Sequence, residues 1–444
     1  MYSCTAMDYQ TFIKILYIST AIGAFTDIFD TSIVGGTSAS IITSLKLTTP
    51  EFGLLGSMTF VGGIFGALSF GFLTDKLGRK RSFLLTLSLF VIFELLSGLA
   101  PNYLSLLLFR TIVGFAIGAD YVPAITLLAE FVKPKVRGSS FDFFWIIANI
   151  GALASYLIAF SLIPFGVNQW RILFIIGAIP PLLGLIIRSK LPETPRWLIA
   201  KNKTKEAEKA AEEAGISKEE IQTYENYNEN PIKLLKPYII SITIPLFLIM
   251  FLNIPPSGML ELTPLILTTL KISKADSLLF TSAAWVTPVI IGNVVAFKLI
   301  DRLGRFKMLA IGSIGLAIAL FSMYAFSSLL FNIYMILFSM VAGGILQSFF
   351  IPIIYSLSTE LYPTNIRGLG QGISVSGIRL AGVIGTFGGS LLLSSFGTAG
   401  ILVGYAVISL LASIIIIFWL GNKIETSGKT LEEINRKFLK REKY

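Results

Sequence analysis

Histidine is absent from this chain of 444 residues, and cysteine occurs once, at Cys4. The first absence removes the commonest metal ligand and the side chain that most often carries protons near neutral pH; the second excludes an internal disulfide. Proton chemistry therefore falls to Asp and Glu. Charge is also scarce, at 14% of residues against 54% hydrophobic, with a mean hydropathy of +0.76. A soluble core does not use that much apolar residue. No Gly-x-x-x-x-Gly-Lys-Ser/Thr phosphate loop and no cysteine cluster occurs, so ATP-driven work, a metal, a cofactor and enzymatic catalysis are not expected. Met1 to Lys14 carries Asp8 and lacks the small-residue cleavage site of a secretory signal, so the first apolar segment is expected to stay in the chain.

What is present is a series of long apolar runs. A helix that crosses a bilayer needs roughly 20 mostly apolar residues, and about twelve such runs can be placed, near 14 to 40, 52 to 73, 82 to 100, 103 to 131, 140 to 163, 171 to 189, 238 to 270, 277 to 300, 307 to 329, 331 to 359, 368 to 394 and 399 to 420. They are too long and continuous for the ten-residue alternating strands of a membrane barrel. The expected class is an all-α polytopic membrane protein.

The net charge of +10 does not indicate a nucleic-acid partner, because the Lys and Arg residues gather in the connections. Those after spans 2, 4, 8 and 10 carry Lys76, Arg79, Lys80, Arg81, Lys133, Lys135, Arg137, Arg302, Arg305, Lys307 and Arg367, whereas those after spans 3, 5, 9 and 11 carry almost none. By the positive-inside rule, both termini are expected in the cytoplasm of a multi-pass plasma-membrane protein. One long connection, Arg188 to Pro237, is rich in Lys and Glu and divides the chain. The expected parts are a six-helix bundle over 1–189, a cytoplasmic linker over 190–237, a second six-helix bundle over 238–420 and a tail over 421–444.

Two motifs repeat in register. Asp75-Lys-Leu-Gly78-Arg79 returns as Asp301-Arg-Leu-Gly304-Arg305, and Glu130-Phe-Val-Lys-Pro134-Lys-Val-Arg137-Gly138 returns as Glu360-Leu-Tyr-Pro363-Thr-Asn-Ile-Arg367-Gly368. Basic loops alone would explain the charges but not the shared order of residues. Parallel six-helix repeats are one of the standard transporter plans.

At these residues the chain resembles the major facilitator superfamily over essentially its whole length. Gly71-x-x-x-Asp75-x-x-Gly78-Arg79-Lys80 is similar to that superfamily's loop motif after helix 2. The resemblance implies a gate at one membrane face, with Asp75, Gly78, Arg79, Glu130 and Arg137 in the first half and Asp301, Arg305, Glu360 and Arg367 in the second. Pro192-Glu193-Thr194-Pro195-Arg196-Trp197-Leu198 and Glu425-Thr-Ser-Gly-Lys429 through Glu433 resemble sugar porter signatures. Asp30-Thr31 and Arg110 stand where proton-coupled sugar porters carry an acidic and a basic residue. The helix 7 glutamine pair of those porters falls at Phe251-Leu252 and their helix 5 glutamine at Ala152. Gly118-Ala-Asp120-Tyr121-x-Pro123, Thr26-Asp27-x-x-Asp30 and Gly372-Ile-Ser374 through Arg379 and Gly385 instead resemble the phosphate and organic-anion symporters of the same clan.

Depth along each span sorts the buried charges. Asp30 and Arg110 fall at a similar level, each roughly 12 to 15 Å inside its span at about 1.5 Å per residue, and buried charges need partners. Asp30 is expected to carry the coupling proton, with Arg110 setting its affinity and Asp27 in reserve. A fixed pair that only locks two helices is the alternative. Asp120, Asn149, Gln347 and Arg379 come out near the midplane, where sites of repeat-built transporters lie; Tyr121 and Trp285 are candidate walls. Arg379 suits a carboxylate or phosphate or else an internal partner, Asp120 or Glu261. Pro255-Pro256-Ser257-Gly258 should break span 7 and bring Glu261 near the cavity, whereas Glu94 is expected close to the outer surface.

The expected function is alternating-access, proton-coupled symport by a monomer in the lipid bilayer. Its solute is expected to be a small anion, phosphate or an organic acid, with a sugar or polyol as the alternative and a non-transporting membrane sensor as a rival from another class.

Overall fold

The computed structural model describes residues 9–131, 137–189, 193–213, 239, 243–330, 332–362 and 367–420, and they are helical almost throughout. The first half runs α1 (Tyr9–Gly36), α2 (Ser38–Leu45), α3 (Thr49–Leu77), α4 (Arg79–Gly98), α5 (Tyr103–Phe131), α6 (Arg137–Ser161), α7 (Gln169–Gly177) and α8 (Ile179–Ser189). After the short α9 (Pro195–Ala200) and α10 (Thr204–Glu213) come α11 (Ile244–Met250), α12 (Ile254–Thr269), α13 (Lys274–Phe280), α14 (Thr287–Leu303), α15 (Arg305–Ser328), α16 (Ile333–Gln347), α17 (Ile351–Glu360), α18 (Arg367–Val383) and α19 (Gly389–Ile415).

Among the described residues ten stretches are long and apolar enough to cross a bilayer. The tenth, Leu369–Phe418, is 50 residues long and turns back at Gly397, whose φ of 64° leaves helical space; it makes two crossings. With the 28-residue α1 the total is the twelve expected. Large apolar side chains such as Phe65, Leu104, Phe338 and Phe418 stay exposed on the outside of the bundle. In water that surface would aggregate; in a bilayer it is the face the lipid wets.

Local chemistry places the helix ends. Thr48 caps α3 by accepting from the Glu51 amide, and the Glu51 carboxylate accepts from the Thr48 N–H at 2.8 Å, a capping box followed by Pro50 in the first turn. At the far end of α3, Gly78 turns the chain with φ 95°, ψ 156°, and Gly304 turns it between α14 and α15 with φ 81°, ψ 158°. The same backbone turn at the two copies of the repeated loop is the structural counterpart of the sequence repeat, and side chains rarely adopt such a φ.

Spans 7, 8 and 11 are among those that are interrupted rather than straight. A 3₁₀ turn at Phe251–Asn253 separates α11 from α12, with Pro255 and Pro256 at the start of α12, as the Pro-Pro-Ser-Gly run predicts. Single π-type turns at Thr281–Val286 and Ile384–Gly388 interrupt spans 8 and 11, a form that concentrates at functional sites.

The halves meet where α1 packs on α12, α3 on α18 and α6 on α14. At the end of the bundle opposite Gly78 and Gly304, here called the distal end, these contacts are close enough to require glycine. A Cβ on Gly53 would collide with the Ser390 side chain and lie 3.2 Å from the Thr386 carbonyl, and one on Gly35 would lie 2.8 Å from the Glu261 carbonyl oxygen. Tyr156 of α6 donates its hydroxyl to the Leu260 carbonyl across the same seam.

Candidate solute and proton sites

A cavity of about 80 Å³ lies between the halves, room for several waters on a scale where one needs roughly 10–15 Å³. Its walls come from both halves: Asp27, Thr31, Trp145 and Asn149 from α1 and α6, and Asn253, Ser257, Trp285, Asn293, Gln347, Tyr355 and Arg379 from the later spans. The interruptions in spans 7 and 8 supply part of this lining, since Asn253 and Trp285 sit in the 3₁₀ and π turns. The Trp145 and Tyr355 rings meet across the halves with centroids 4.7 Å apart. Asn149 donates to the Trp145 carbonyl at 2.8 Å, and Asn253 donates to Ser257 Oγ at 2.9 Å. Asn293 Oδ1 and Gln347 Oε1 are buried and receive no hydrogen bond among the described residues. Such an orphaned acceptor is costly, so both oxygens call for a donor from something in the cavity.

The Arg379 guanidinium is engaged at one wall of the cavity. Its Nη2 donates to Asp27 Oδ2 at 2.8 Å and its Nη1 to Asp27 Oδ1 at 3.3 Å, a fork across the two halves that leaves both side chains 5% exposed or less. Asp120, one of the two internal partners considered for it, is elsewhere. It is bonded to Arg188 at the end of α8, accepts from Thr86 Oγ1 at 3.4 Å and takes no part in lining the cavity. Arg188 reaches inward along its aliphatic stem, stacks over the Phe83 ring at 4.4 Å and donates to the Ser19 carbonyl. Depth in the sequence gave Asp120 its level, but helix rotation aims it into the first half. Glu261 is corrected in the same way: it is 1% exposed and faces Gly56 of α3 rather than the cavity.

Deeper in the first half, Arg110 of α5 donates to both oxygens of Asp30, at 2.7 and 2.6 Å, and to Thr59 Oγ1 at 3.2 Å. Its Nη1 also donates to Glu94 Oε2 at 2.9 Å, so the expectation that Glu94 lies near the outer surface is overturned. Glu94 is fully buried, because Gly177 lets α7 approach so closely that a Cβ there would lie 2.6 Å from Glu94 Oε1. The guanidinium also lies 5.0 Å from the centre of the Phe174 ring.

At the end with the basic loops, Glu193 accepts from the Arg79 N–H at 2.9 Å and the Lys80 N–H at 3.2 Å. A carboxylate therefore sits on the open N-terminus of α4, where both the free amides and the helix dipole favour it. Gly78 leaves it room, and Arg305 is buried at the matching loop of the second half. The side chains of Tyr121, Asp75, Glu130, Arg137, Asp301, Glu360 and Arg367 lie outside the described residues. Sequence reasoning misplaced Glu94 and missed Arg188 and the Asn253, Asn293, Trp145 and Tyr355 walls. Trp145 with Asn149 and Asn253 with Ser257 do carry a signal, the spacing of four that puts two side chains on one helical face.

These features define a carrier of the major facilitator superfamily. The structure matches that of the MFS proton:xylose symporter XylE bound to 6-bromo-6-deoxy-D-glucose with a TM-score of 0.80, covering 97% of this chain and 99% of that one at 22% identity. The chain belongs to the sugar (and other) transporter family, whose model matches residues 16–438. Similar proteins include the putative metabolite transport protein YwtG of Bacillus subtilis (strain 168), 28% identical with 95% of this chain and 94% of its own length aligned. The arabinose-proton symporter of the same organism is 27% identical, with 97% and 96% aligned. The niacin transporter NiaP of Acinetobacter baylyi (strain ATCC 33305 / BD413 / ADP1) is 28% identical, with 93% and 94% aligned. The protein is a multi-pass membrane transporter of small metabolites and not an enzyme.

Proposed function

We propose that the chain is a proton-coupled symporter of a neutral, hydroxyl-rich solute, a sugar or polyol, taken up between halves 1–189 and 238–420 that alternate in exposing the site. The observation that carries this reading is the pair of undonated amide oxygens, Asn293 Oδ1 and Gln347 Oε1, among cavity walls that also offer Trp145, Trp285 and Tyr355. A sugar hydroxyl supplies donors to such oxygens while its C–H face rests on an aromatic ring. An ionised carboxylate is acceptor-only and supplies none. The cation that pointed to an anion, Arg379, already holds Asp27, which ranks the anion reading second. The arabinose-proton symporter among the relatives supports the sugar reading.

In this reading Asp30 exchanges the proton and Arg110 holds its carboxylate. The protein works as a monomer in the plasma membrane, with both termini and residues 190–237 in the cytoplasm. Proteoliposomes test it with labelled pentoses, hexoses and polyols beside nicotinate and phosphate under an inward proton gradient. Saturable, gradient-driven uptake of a neutral solute is expected. Asn293→Ala or Gln347→Ala should raise KM roughly two- to tenfold, the equivalent of one neutral hydrogen bond of about 0.5–1.5 kcal/mol. Asp30→Asn should exchange solute but not accumulate it. Uptake confined to the anions would sink the sugar reading.

A further inference from the structure

Glu261 is a buried acid that neither site uses. It lies midway along α12, 1% exposed, and its Oε2 receives no hydrogen bond among the described residues. Its carboxylate faces Gly56 of α3, where a Cβ would collide with it. One turn further along the same face of α3 stands Thr59, which accepts from Arg110 Nη2 at 3.2 Å. Residues three apart on a helix are neighbours, so this acid of the second half is brought beside the Asp30–Arg110 cluster of the first.

The surroundings hold one cation against three carboxyls. Arg110 faces Asp30 from α1 and Glu94 from α4, all with side chains 1% exposed or less, and Glu261 comes from α12. Of the remaining polar groups packed nearby, the two tyrosines are occupied elsewhere, and Thr386 Oγ1 is buried with no partner among the described residues. Tyr156 of α6 donates to the Leu260 carbonyl, Tyr405 of α19 donates to the Gly385 carbonyl at 2.6 Å, and span 11 presents the Thr386 methyl to Gly56. Three ionised carboxylates around one guanidinium in a dry interior are not sustainable, and buried groups neutralise instead.

The third carboxyl lies at the closed distal end. Its position is set by the same seam that presses Gly35 against the Glu261 backbone and Gly53 against Ser390. We propose that Glu261 is a proton-operated latch: it takes up a proton when the second half closes on Gly35, Gly53 and Gly56, and releases it to water when that end opens. The proton moves from water to the Glu261 carboxylate on closing and back on opening, so charge balances at each step. The closed form binds more protons, hence it is favoured at low pH and given up as pH rises through the titration of that carboxyl. Asp30 couples solute to the proton gradient; Glu261 makes the shape change itself sensitive to pH. The proposal rests on alternation between the halves but not on the identity of the solute.

Accessibility of Ser390 reads the latch without any solute. Cys4→Ser removes the chain's own thiol, and Ser390→Cys places one on the seam, where Ser390 is buried. With the protein in lipid nanodiscs, a hydrophilic maleimide is applied between about pH 5 and about pH 9. After correction for thiol ionisation with an exposed reference cysteine, labelling is expected to rise with pH, by up to about tenfold per unit where a single carboxyl titrates. Glu261→Gln, the shape of the protonated acid, is expected to hold labelling low at every pH. Glu261→Asp is expected to keep the rise with its midpoint moved. An unchanged rise in Glu261→Gln overturns the proposal, as does labelling that is flat in the parent or high at every pH in Glu261→Gln. Failure of the solute uptake panel leaves this readout intact, so the two readings fail separately.

Discussion

Asp27 and Arg379 stand on different halves and meet in a fork of 2.8 and 3.3 Å, so the pair is both part of the cavity wall and a tie between the two halves. Removing one partner strands the other charge in a dry site, which costs about 3–5 kcal/mol, whereas removing both charges is often close to neutral. Arg379→Gln alone is therefore expected to lower the thermal midpoint of the detergent-solubilised protein strongly, and Asp27→Asn with Arg379→Gln to recover most of the loss. Equal destabilisation by the single and double variants would show that the pair contributes no mutual stabilisation. The residue scale is also where the sequence was least legible. Depth, read at about 1.5 Å per residue, brought Asp30 and Arg110 to one level. It offered Asp120 or Glu261 as the internal partner of Arg379 and not Asp27, because helices apolar on every side carry no stripe to report which way a residue faces.

The elements were more legible than their partners. Twelve runs, the repeated loop and the Pro-Pro-Ser-Gly break all read directly from hydropathy and from backbone chemistry that only Gly and Pro impose. Less visible was that Pro192-Glu-Thr-Pro, recognisable as a branch signature, has a local mechanical task. Glu193 accepts from the amides of Arg79 and Lys80 and so ties the segment after α8 to the first turn of α4. A lost helix cap costs about 0.5–2 kcal/mol. Glu193→Ala should lower stability by that amount and raise hydrogen exchange at the Arg79 and Lys80 amides, with exchange elsewhere on α4 unchanged. Unchanged protection at those two amides would show that the cap is not held in solution. The contact is invisible to sequence reasoning because 114 residues separate Glu193 from Arg79 and no periodicity links a linker residue to a helix end.

For the whole molecule, the repeat that divides the chain also predicts how it must move. Gly78 and Gly304 make the same turn at one end, while at the other the halves close on Gly35, Gly53 and Gly56 with no space for a side chain. A carrier that alternates must form and break this second seam in every cycle, so its fit limits turnover rather than folding. Gly53→Leu sets a branched side chain against Ser390 and the Thr386 carbonyl. Overpacking of a finished core typically costs 1–3 kcal/mol, here charged against the closed form alone. That is about a five- to 150-fold loss of the closed population. Solute exchange in proteoliposomes is expected to fall by that factor while the thermal midpoint changes little, since the open form has no clash. Ser390→Gly added to Gly53→Leu removes the obstructing side chain and should restore part of the exchange rate. If Gly53→Leu exchanges solute as fast as the parent, the distal seam does not close during transport, and the latch assigned to Glu261 loses the closure that would bury it.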